Sequence, residues 1–269
     1  MLELTKVSKT FFPGTVNERR ALRAVDLRLD EGDFVTIIGS NGAGKSTLLN
    51  VVAGTMKADP ASGGQGAGAI KIDGRDVSRQ PEHRRARYIA RVFQDPQAGT
   101  SPHLTIEQNM AIALARGQSR ALGRGVTKAR RAQFRHELEV LGLGLEDRLR
   151  TLVSMLSGGQ RQALSLLMAS FTRPSILLLD EHTAALDPQR AELVTQLTIK
   201  VVAESNLTAL MVTHNMAQAL RVGNRLLMMH EGEIVLELDE AQKKRTSVAD
   251  LVERFTAVKG EMTDRTLLG

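Results

Sequence analysis

The stretch GSNGAGKST, residues 39–47, constrains the fold of this chain more than any other. It follows DFVTIIG, a run rich in β-branched residues, and it precedes KSTLLNVVAG, whose apolar residues recur at helical spacing as far as Gly54. A strand, a glycine-rich turn and a helix in this order are typical of a phosphate-binding loop. Its glycines let successive N–H groups point inward, and the positive end of the helix adds to their attraction for an anion. The motif predicts a bound nucleoside triphosphate.

Each residue of this loop has an expected role. Lys45 is expected to reach the β- and γ-phosphates, and the hydroxyl of Ser46 is expected to ligate Mg²⁺. The other residues are expected to surround the phosphates, and they are Gly39, Ser40, Asn41, Gly42, Ala43, Gly44 and Thr47.

Two acids end a second apolar run, ILLLDE at residues 176–181. Asp180 is the expected partner of Mg²⁺, either directly or through its shell, and Glu181 is placed to orient and polarise an attacking water. The alternative is that both acids only cap the next helix. Another apolar run, LTALMVTHN, follows after a helical segment, and strand–helix–strand order predicts an α/β fold with a parallel sheet.

Composition narrows the class of protein. No apolar run approaches the roughly 18 to 20 residues of a membrane span, and the first residues do not resemble a signal peptide, so a cytosolic location is the expectation. The chain has no cysteine, which excludes disulfides and thiolate sites. A net charge of +6 favours an anionic partner, but aromatic residues make up only 3% of the chain, too few to favour a base-stacking surface for nucleic acid. The basic run 116–137 is either a solvated helix face or a surface close to a membrane or an acidic partner.

A second glycine-containing motif, MLSGGQRQALSLLMA at residues 155–169, carries no lysine. Ser157 and Gln160 have the spacing of a capping box, and the apolar residues after them recur at helical spacing. The motif therefore predicts a helix start with free backbone N–H groups, which is either an anion site or only a capped helix.

Taken together, these motifs resemble those of the ATP-binding cassette (ABC) ATPases, and the resemblance spans nearly the whole chain. It implies a phosphate-loop NTPase (RecA-like) core over residues 1–95 and 156–239, with an N-terminal antiparallel β subdomain. It also implies a helical subdomain at 96–155 and a C-terminal helix at 240–257, so that residues 1–257 form one domain followed by a tail at 258–269. In this family two copies face each other head to tail. The resemblance implies that ATP is the nucleotide and that the signature residues of one copy close over the ATP of the other, namely Ser157, Gly158, Gly159 and Gln160.

Further roles follow from the same resemblance. Gln94 in VFQDP matches the glutamine that senses the γ-phosphate through Mg²⁺ and water, and His214 in MVTHN matches the switch histidine that contacts the γ-phosphate. Asp187 matches an aspartate that communicates across the dimer. Phe11 is the expected adenine-stacking aromatic and Phe12 is its rival, and the alternative for either is a place in the core.

Two features depart from the family pattern. His182 stands where many members have proline, and Ala184 stands where serine is usual. His182 either modulates the pKa of Glu181 or is a neutral loop residue. The glycine-rich stretch at 59–69 is longer than expected, and it has no predicted function.

The resemblance implies the ATP-hydrolysing subunit of a bacterial importer, closest to a group assigned to aromatic amino acids such as tryptophan or tyrosine. The implied partners are a second cassette, an integral membrane permease and, indirectly, an extracytoplasmic substrate-binding protein. The implied location is the cytoplasmic face of the inner membrane. The alternatives are a soluble regulatory or nucleic-acid-associated cassette and, with less support, a phosphoryl-transferring kinase.

Overall fold

A computed structural model describes residues 1–60, 68–116 and 125–257. The tail at 258–269, most of the glycine-rich stretch at 59–69 and part of the basic run at 116–137 lie outside the described residues. The strands are β1 (Leu2–Phe11), β2 (Arg19–Leu29), β3 (Phe34–Gly39), β4 (Ala69–Ile72), β5 (Arg75–Asp76), β6 (Ile89–Val92), β7 (Ile176–Asp180), β8 (Ala209–Val212), β9 (Arg225–His230) and β10 (Glu233–Leu238). The helices are α1 (Lys45–Ala53), α2 (Glu82–Arg85), α3 (Ile106–Leu114), α4 (Lys128–Glu139), α5 (Gly158–Ser170), α6 (Pro188–Glu204), α7 (Met216–Arg221) and α8 (Glu240–Arg245), and residues 248–257 form a further helix.

The strands form two sheets. The larger sheet has the order β10-β9-β3-β8-β7-β6, and the smaller, antiparallel sheet has the order β2-β1-β4-β5. All neighbours in the larger sheet are parallel except β9 and β10, which are joined by Glu231 and Gly232. Both residues have positive φ, 44° and 86°, as the tightest hairpin turns require. The predicted α/β fold with a parallel sheet and an N-terminal antiparallel sheet is confirmed, with β10 as one antiparallel edge strand.

The larger sheet is buried on both faces, as parallel sheets usually are. Leu177 and Leu179 of β7 belong to the apolar core that includes α5 and α6. The alternating residues Ile176 and Leu178 belong to a second core, built on α1 and on the antiparallel sheet. Because the side chains of a strand alternate between the faces, β7 contributes side chains to both apolar cores.

The parallel register brings several loops to one edge of the sheet. Val92 of β6 is level with Leu179 of β7, and Asp180 is level with Val212 of β8, which is also level with Ile37 of β3. The loops that leave the carboxyl ends of these strands therefore lie side by side. In open α/β sheets, ligands bind at this edge.

Residues 96–155 contain α3, α4 and a short 3₁₀ turn at Val153–Met155. The C-terminal part differs from its prediction, because residues 240–257 form two helices instead of one. Thr246 is extended, and Ser247 and Asp250 then exchange side-chain and backbone hydrogen bonds of 2.8 and 3.1 Å, which is a new helix start. None of the described helices combines the length and the apolar character that crossing a bilayer demands.

Candidate nucleotide site

The loop between β3 and α1 has a backbone that only glycine fits at two positions. Gly39 has φ 153° and Gly44 has φ 101°. A Cβ atom would lie 2.2 Å from the carbonyl oxygen of Met229 at the first and 2.3 Å from that of Ala21 at the second. Gly44 is also the N-cap of α1 and offers no side-chain cap. The first N–H groups of α1 are therefore available to an anion in the loop.

The side chain of Lys45 lies inside this loop and binds its backbone. Its side chain is buried, and Nζ donates hydrogen bonds of 2.8 Å to the Gly39 carbonyl and 3.0 Å to the Ser40 carbonyl. Burial lowers the pKa of Lys45, while the charges of Glu181 and Asp180 oppose this change. The ammonium group is thus the loop's own cation, held beside two carboxylates.

A pocket of about 250 Å³ opens over the loop. Its wall consists of residues from the antiparallel sheet, the loop and the end of β7, namely Phe11, Arg19, Ala21, Asn41, Gly42, Gly44, Lys45, Ser46, Thr47 and Glu181. Of the two candidate aromatics, Phe11 lines this pocket, whereas Phe12 does not and is 66% exposed. Gly39, Ser40 and Ala43 shape the turn without lining the pocket.

Arg19 also lines the pocket and was not among the predicted site residues. It is the register partner of Phe11 across β1 and β2, and its Nη2 donates to the Gly42 carbonyl at 3.1 Å. The sequence offers little to identify Arg19 as a pocket residue, because it is one of several arginines in a stretch without a recognisable motif.

Glu181 and His214 are brought together at the ends of β7 and β8. Nδ1 of His214 lies 3.3 Å from Oε2 of Glu181. Glu181 has a φ of 43°, an uncommon conformation for a residue with a side chain, and it lines the pocket of the phosphate loop. A local backbone outlier of this kind is common where a side chain is held for function.

Asp180, the preceding residue, forms an ion pair with Arg91 of β6, with Nη2 and Oδ2 2.5 Å apart. Arg91 was not among the predicted site residues, although a charge inside the apolar run IARVF was a visible signal. Gln94 follows β6 in the neighbouring turn. Its side chain is exposed and does not line the pocket.

The LSGGQ segment begins α5 with the predicted capping box. The Ser157 side chain accepts a hydrogen bond from the Gln160 N–H at 3.3 Å, and the Gln160 side chain accepts one from the Ser157 N–H at 3.2 Å. A Cβ atom on Gly159 would lie 3.3 Å from the side chain of Arg190, so α5 and α6 approach closely here. In the part of the chain that the structure describes, Ser157, Gly158, Gly159 and Gln160 lie outside the pocket of the phosphate loop.

Asp187 is the N-cap residue of α6. Its carboxylate accepts a hydrogen bond from the Arg190 N–H at 3.1 Å and pairs with the Arg190 side chain at 3.1 Å. Within one chain Asp187 is therefore a helix cap, which leaves its expected role across a dimer as a prediction.

Of the two alternatives for His182, the structure supports the neutral loop residue, and its side chain is buried. Its Nε2 lies 2.9 Å from the Thr198 hydroxyl, which itself donates to the Val194 carbonyl at 2.8 Å. Because that hydroxyl proton is used, Nε2 of His182 is the donor, and Nδ1 carries no proton. Burial lowers the pKa of His182 to about 4.

Known proteins resemble this chain over most of its sequence. Residues 22–184 match the protein family described as "ABC transporter". The chain is 41% identical over 256 residues to the "Tyrosine transport ATP-binding protein" of Clostridioides difficile, covering 95% of this chain and 98% of that protein. It is 35% identical over 255 residues to the "Methionine import ATP-binding protein MetN 2" of Enterococcus faecalis, covering 93% of this chain and 69% of that protein.

A solved structure has the same fold. It is a dimeric, post-hydrolysis state of the ATP-binding cassette MJ0796 bound to ADP and Pi, and it aligns with a TM-score of 0.74 at 30% identity. The alignment covers 89% of this chain and 99% of that one. The chain therefore belongs to the ABC transporter family and is one of its ATP-hydrolysing subunits.

Proposed function

We propose that this chain powers a membrane importer whose cargo is an amino acid of the aromatic class. The observation that carries the cargo class is the relative named for tyrosine transport, which matches over almost the full length of both chains. The methionine-import relative supports an amino acid more generally. An extracytoplasmic substrate-binding protein would deliver the cargo to the permease.

The working unit is a head-to-tail dimer of two copies. One chain presents a phosphate loop with Lys45 and, outside that pocket, a capped helix start at Ser157–Gln160. Two such chains complete each other if the helix start of one covers the nucleotide of its partner. The dimeric arrangement of the similar cassette supports this proposal.

Mg²⁺ fits the residues that are present. The Ser46 hydroxyl and the Asp180 carboxylate are hard oxygen donors, which Mg²⁺ prefers, together with phosphate oxygens and water. When bound, the ion would neutralise phosphate charge that develops during hydrolysis. Gln94, in the turn after β6, would approach the ion and its water as the dimer closes.

The chain's own residues carry out the hydrolysis. Lys45 binds the β- and γ-phosphates through its ammonium group, and the loop N–H groups orient them. Glu181 orients the attacking water and accepts its proton at the carboxylate. His214 contacts the γ-phosphate and, through its contact with Glu181, fixes the carboxylate. Phe11 stacks on the adenine, and closure of the dimer excludes bulk water.

The permease is proposed to dock in a groove of about 910 Å³ between the α2 region and α3. The groove combines the basic residues His83, Arg87 and Arg116 with Ile112, whose side chain is 60% exposed. A groove lined by both an exposed apolar residue and basic residues suits a partner helix with apolar and acidic side chains. Docking there places the chain at the cytoplasmic face of the inner membrane.

Co-purification tests this proposal. The tagged chain is expressed in its native cells, the membranes are solubilised gently, and bound proteins are identified by mass spectrometry. We expect a permease with several membrane spans, and we expect Ile112→Glu to lose it. Val252→Glu, which places the same charge on an exposed valine of the C-terminal helix, is the control and should retain the permease.

Recovery of nucleic acid instead of an integral membrane protein would favour a soluble regulatory cassette and overturn the importer proposal. Cargo is then tested by uptake of labelled tyrosine, tryptophan and methionine in cells with and without the chain. Loss of methionine uptake alone would contradict the aromatic class.

A further inference from the structure

Arg91 is a charged residue inside the buried strand β6. Only 13% of its side chain is exposed, and the guanidinium group lies among three segments of the nucleotide site. Nη2 pairs with Oδ2 of Asp180, Nη1 donates to Oδ1 of Asn50 at 2.7 Å, and the guanidinium carbon lies 4.8 Å from the centre of the Phe93 ring. Arg91 thus connects α1, the end of β7 and the turn that holds Gln94.

The pairing concerns a carboxylate that the proposed function assigns to Mg²⁺. Arg91 occupies Oδ2 of Asp180, so Oδ1 is the oxygen left for a metal ion or its water. The guanidinium group places a positive charge directly against this carboxylate. Its position fixes the direction of the carboxylate and removes much of the negative potential that would attract a second cation.

The charge balance around Asp180 points to a specific consequence. Two carboxylates, Asp180 and Glu181, face two cations, Lys45 and Arg91. A free divalent cation therefore meets a site that is already neutralised by the protein. A nucleoside triphosphate adds several negative charges, so the site then attracts a divalent cation.

We propose that Arg91 is a positioning residue that acts as the resident counter-ion of Asp180 and makes metal binding conditional on the triphosphate. Mg²⁺ then enters together with ATP rather than before it. This inference rests on the proposed role of Asp180 in holding the ion. The competing explanation is a purely structural ion pair that fastens β6 to β7, and such a pair would leave metal affinity unchanged.

A set of variants separates charge from packing. Arg91→Gln keeps hydrogen-bonding capacity and removes the charge, whereas Arg91→Lys keeps the charge and loses the planar fork. Arg91→Met is a second neutral variant of similar length, and Asn50→Ala removes one partner of Arg91 while leaving the ion pair intact. Urea unfolding of each variant identifies those that fold, and Asp180→Asn reports whether binding depends on this carboxylate.

The experiment titrates each nucleotide-free protein with Mn²⁺, which shares the ligand preference of Mg²⁺ and reports its free concentration by electron paramagnetic resonance. We expect wild type, Arg91→Lys and Asn50→Ala to bind Mn²⁺ weakly. We expect Arg91→Gln and Arg91→Met to bind it at least tenfold more tightly, and Arg91→Gln combined with Asp180→Asn to lose that gain. With ATP present, the half-saturating Mg²⁺ concentration for hydrolysis should fall in the two neutral variants.

Equal Mn²⁺ affinity in wild type and in the folded neutral variants would overturn the inference and leave a structural ion pair. Tight Mn²⁺ binding by nucleotide-free wild type would overturn it as well. Failure of the proposed function is recognised separately, by a wild-type chain that neither binds ATP in metal-free buffer nor hydrolyses it with Mg²⁺.

Discussion

His214 and Glu181 are neighbours because β7 and β8 are neighbours. Asp180 is level with Val212 in the parallel pair, so the residues just beyond each strand end meet, and Nδ1 of His214 lies 3.3 Å from Oε2 of Glu181. The contact joins a group expected to handle the attacking water to one expected to contact the γ-phosphate. Hydrolysis is therefore predicted to depend on both residues.

Substitution of Glu181 by Gln should strongly slow hydrolysis while ATP binding persists, because the amide cannot accept the proton from water. A loss of about 10²-fold or more in phosphate release is expected for a general base. The variant should accumulate as a closed dimer with ATP, measurable by gel filtration. Hydrolysis at the normal rate would remove Glu181 from this role.

The histidine side of the contact has a matched control. His214→Ala should also slow phosphate release, since the carboxylate loses its partner. His136 makes a similar contact of 3.3 Å with Glu139 on the exposed helix α4, so His136→Ala should leave the rate unchanged. Equal effects of the two substitutions would show that the 3.3 Å contact with Glu181 is irrelevant to hydrolysis.

Ser157→Ala should weaken ATP-dependent dimer formation by more than its loss of folding stability explains. Thr105 and Gln108 form an equivalent capping box at the start of α3, so Thr105→Ala is the matched control. Each substitution should lower the free energy of unfolding by about 1 kcal/mol. Dimer formation, measured in the Glu181→Gln background, should decrease only with Ser157→Ala. A similar decrease with both would point to general destabilisation.

Phe11→Ala should weaken ATP binding, because a base stacked on an aromatic ring gains about 1–3 kcal/mol. The dissociation constant should rise by about tenfold, as measured by calorimetry. Phe12→Ala should bind ATP as wild type does, since Phe12 is exposed and outside the pocket. The opposite result would assign the adenine contact to Phe12.

Acid should destabilise the fold through His182. The folded-state pKa of about 4 lies below the ordinary value of 6.5, so the unfolded chain binds the proton more readily. The contribution of His182 is complete above about pH 6.5 and is lost as pH falls towards 4. Between pH 7 and pH 5 the loss should be about 2 kcal/mol by this linkage. Urea unfolding at both pH values should show a smaller difference in His182→Gln, and no such reduction in the exposed-site control His103→Gln.

Gln218 should be required for both stability and hydrolysis. Its amide accepts a hydrogen bond from the Thr213 hydroxyl at 2.7 Å and donates to the hydroxyls of Thr195 at 2.8 Å and Thr183 at 3.3 Å. Gln218→Leu leaves the buried Thr213 hydroxyl without its acceptor, which costs about 1–3 kcal/mol. Because His214 follows Thr213 directly, the hydrolysis rate should fall as well.

Gln196 provides the control for this prediction. It is exposed, and its side chain forms a hydrogen bond only with Glu192 among the described residues. Gln196→Leu should alter neither the unfolding free energy by more than about 0.5 kcal/mol nor the hydrolysis rate. An unchanged rate in a destabilised Gln218→Leu would restrict Gln218 to a structural role.

Local patterns in the sequence determined the parts of the site that lie within one continuous segment. The phosphate loop requires glycines at Gly39 and Gly44, and the capping box requires Ser157 and Gln160 at a fixed spacing, so both could be predicted. The start and end of α1 follow from the same local rules. The break at Ser247 is equally local, but the single helix at 240–257 was expected from the family resemblance alone and not from the residues.

Tertiary structure alone decided which distant side chains meet. Arg91 and Asp180 are far apart in the chain and become partners because β6 and β7 pair in parallel with Val92 level with Leu179. Arg19 reaches the phosphate loop only through its pairing with Phe11 in the antiparallel sheet. Strand order and register set these contacts, and they depend on the burial of the whole sheet, which no short stretch of sequence encodes.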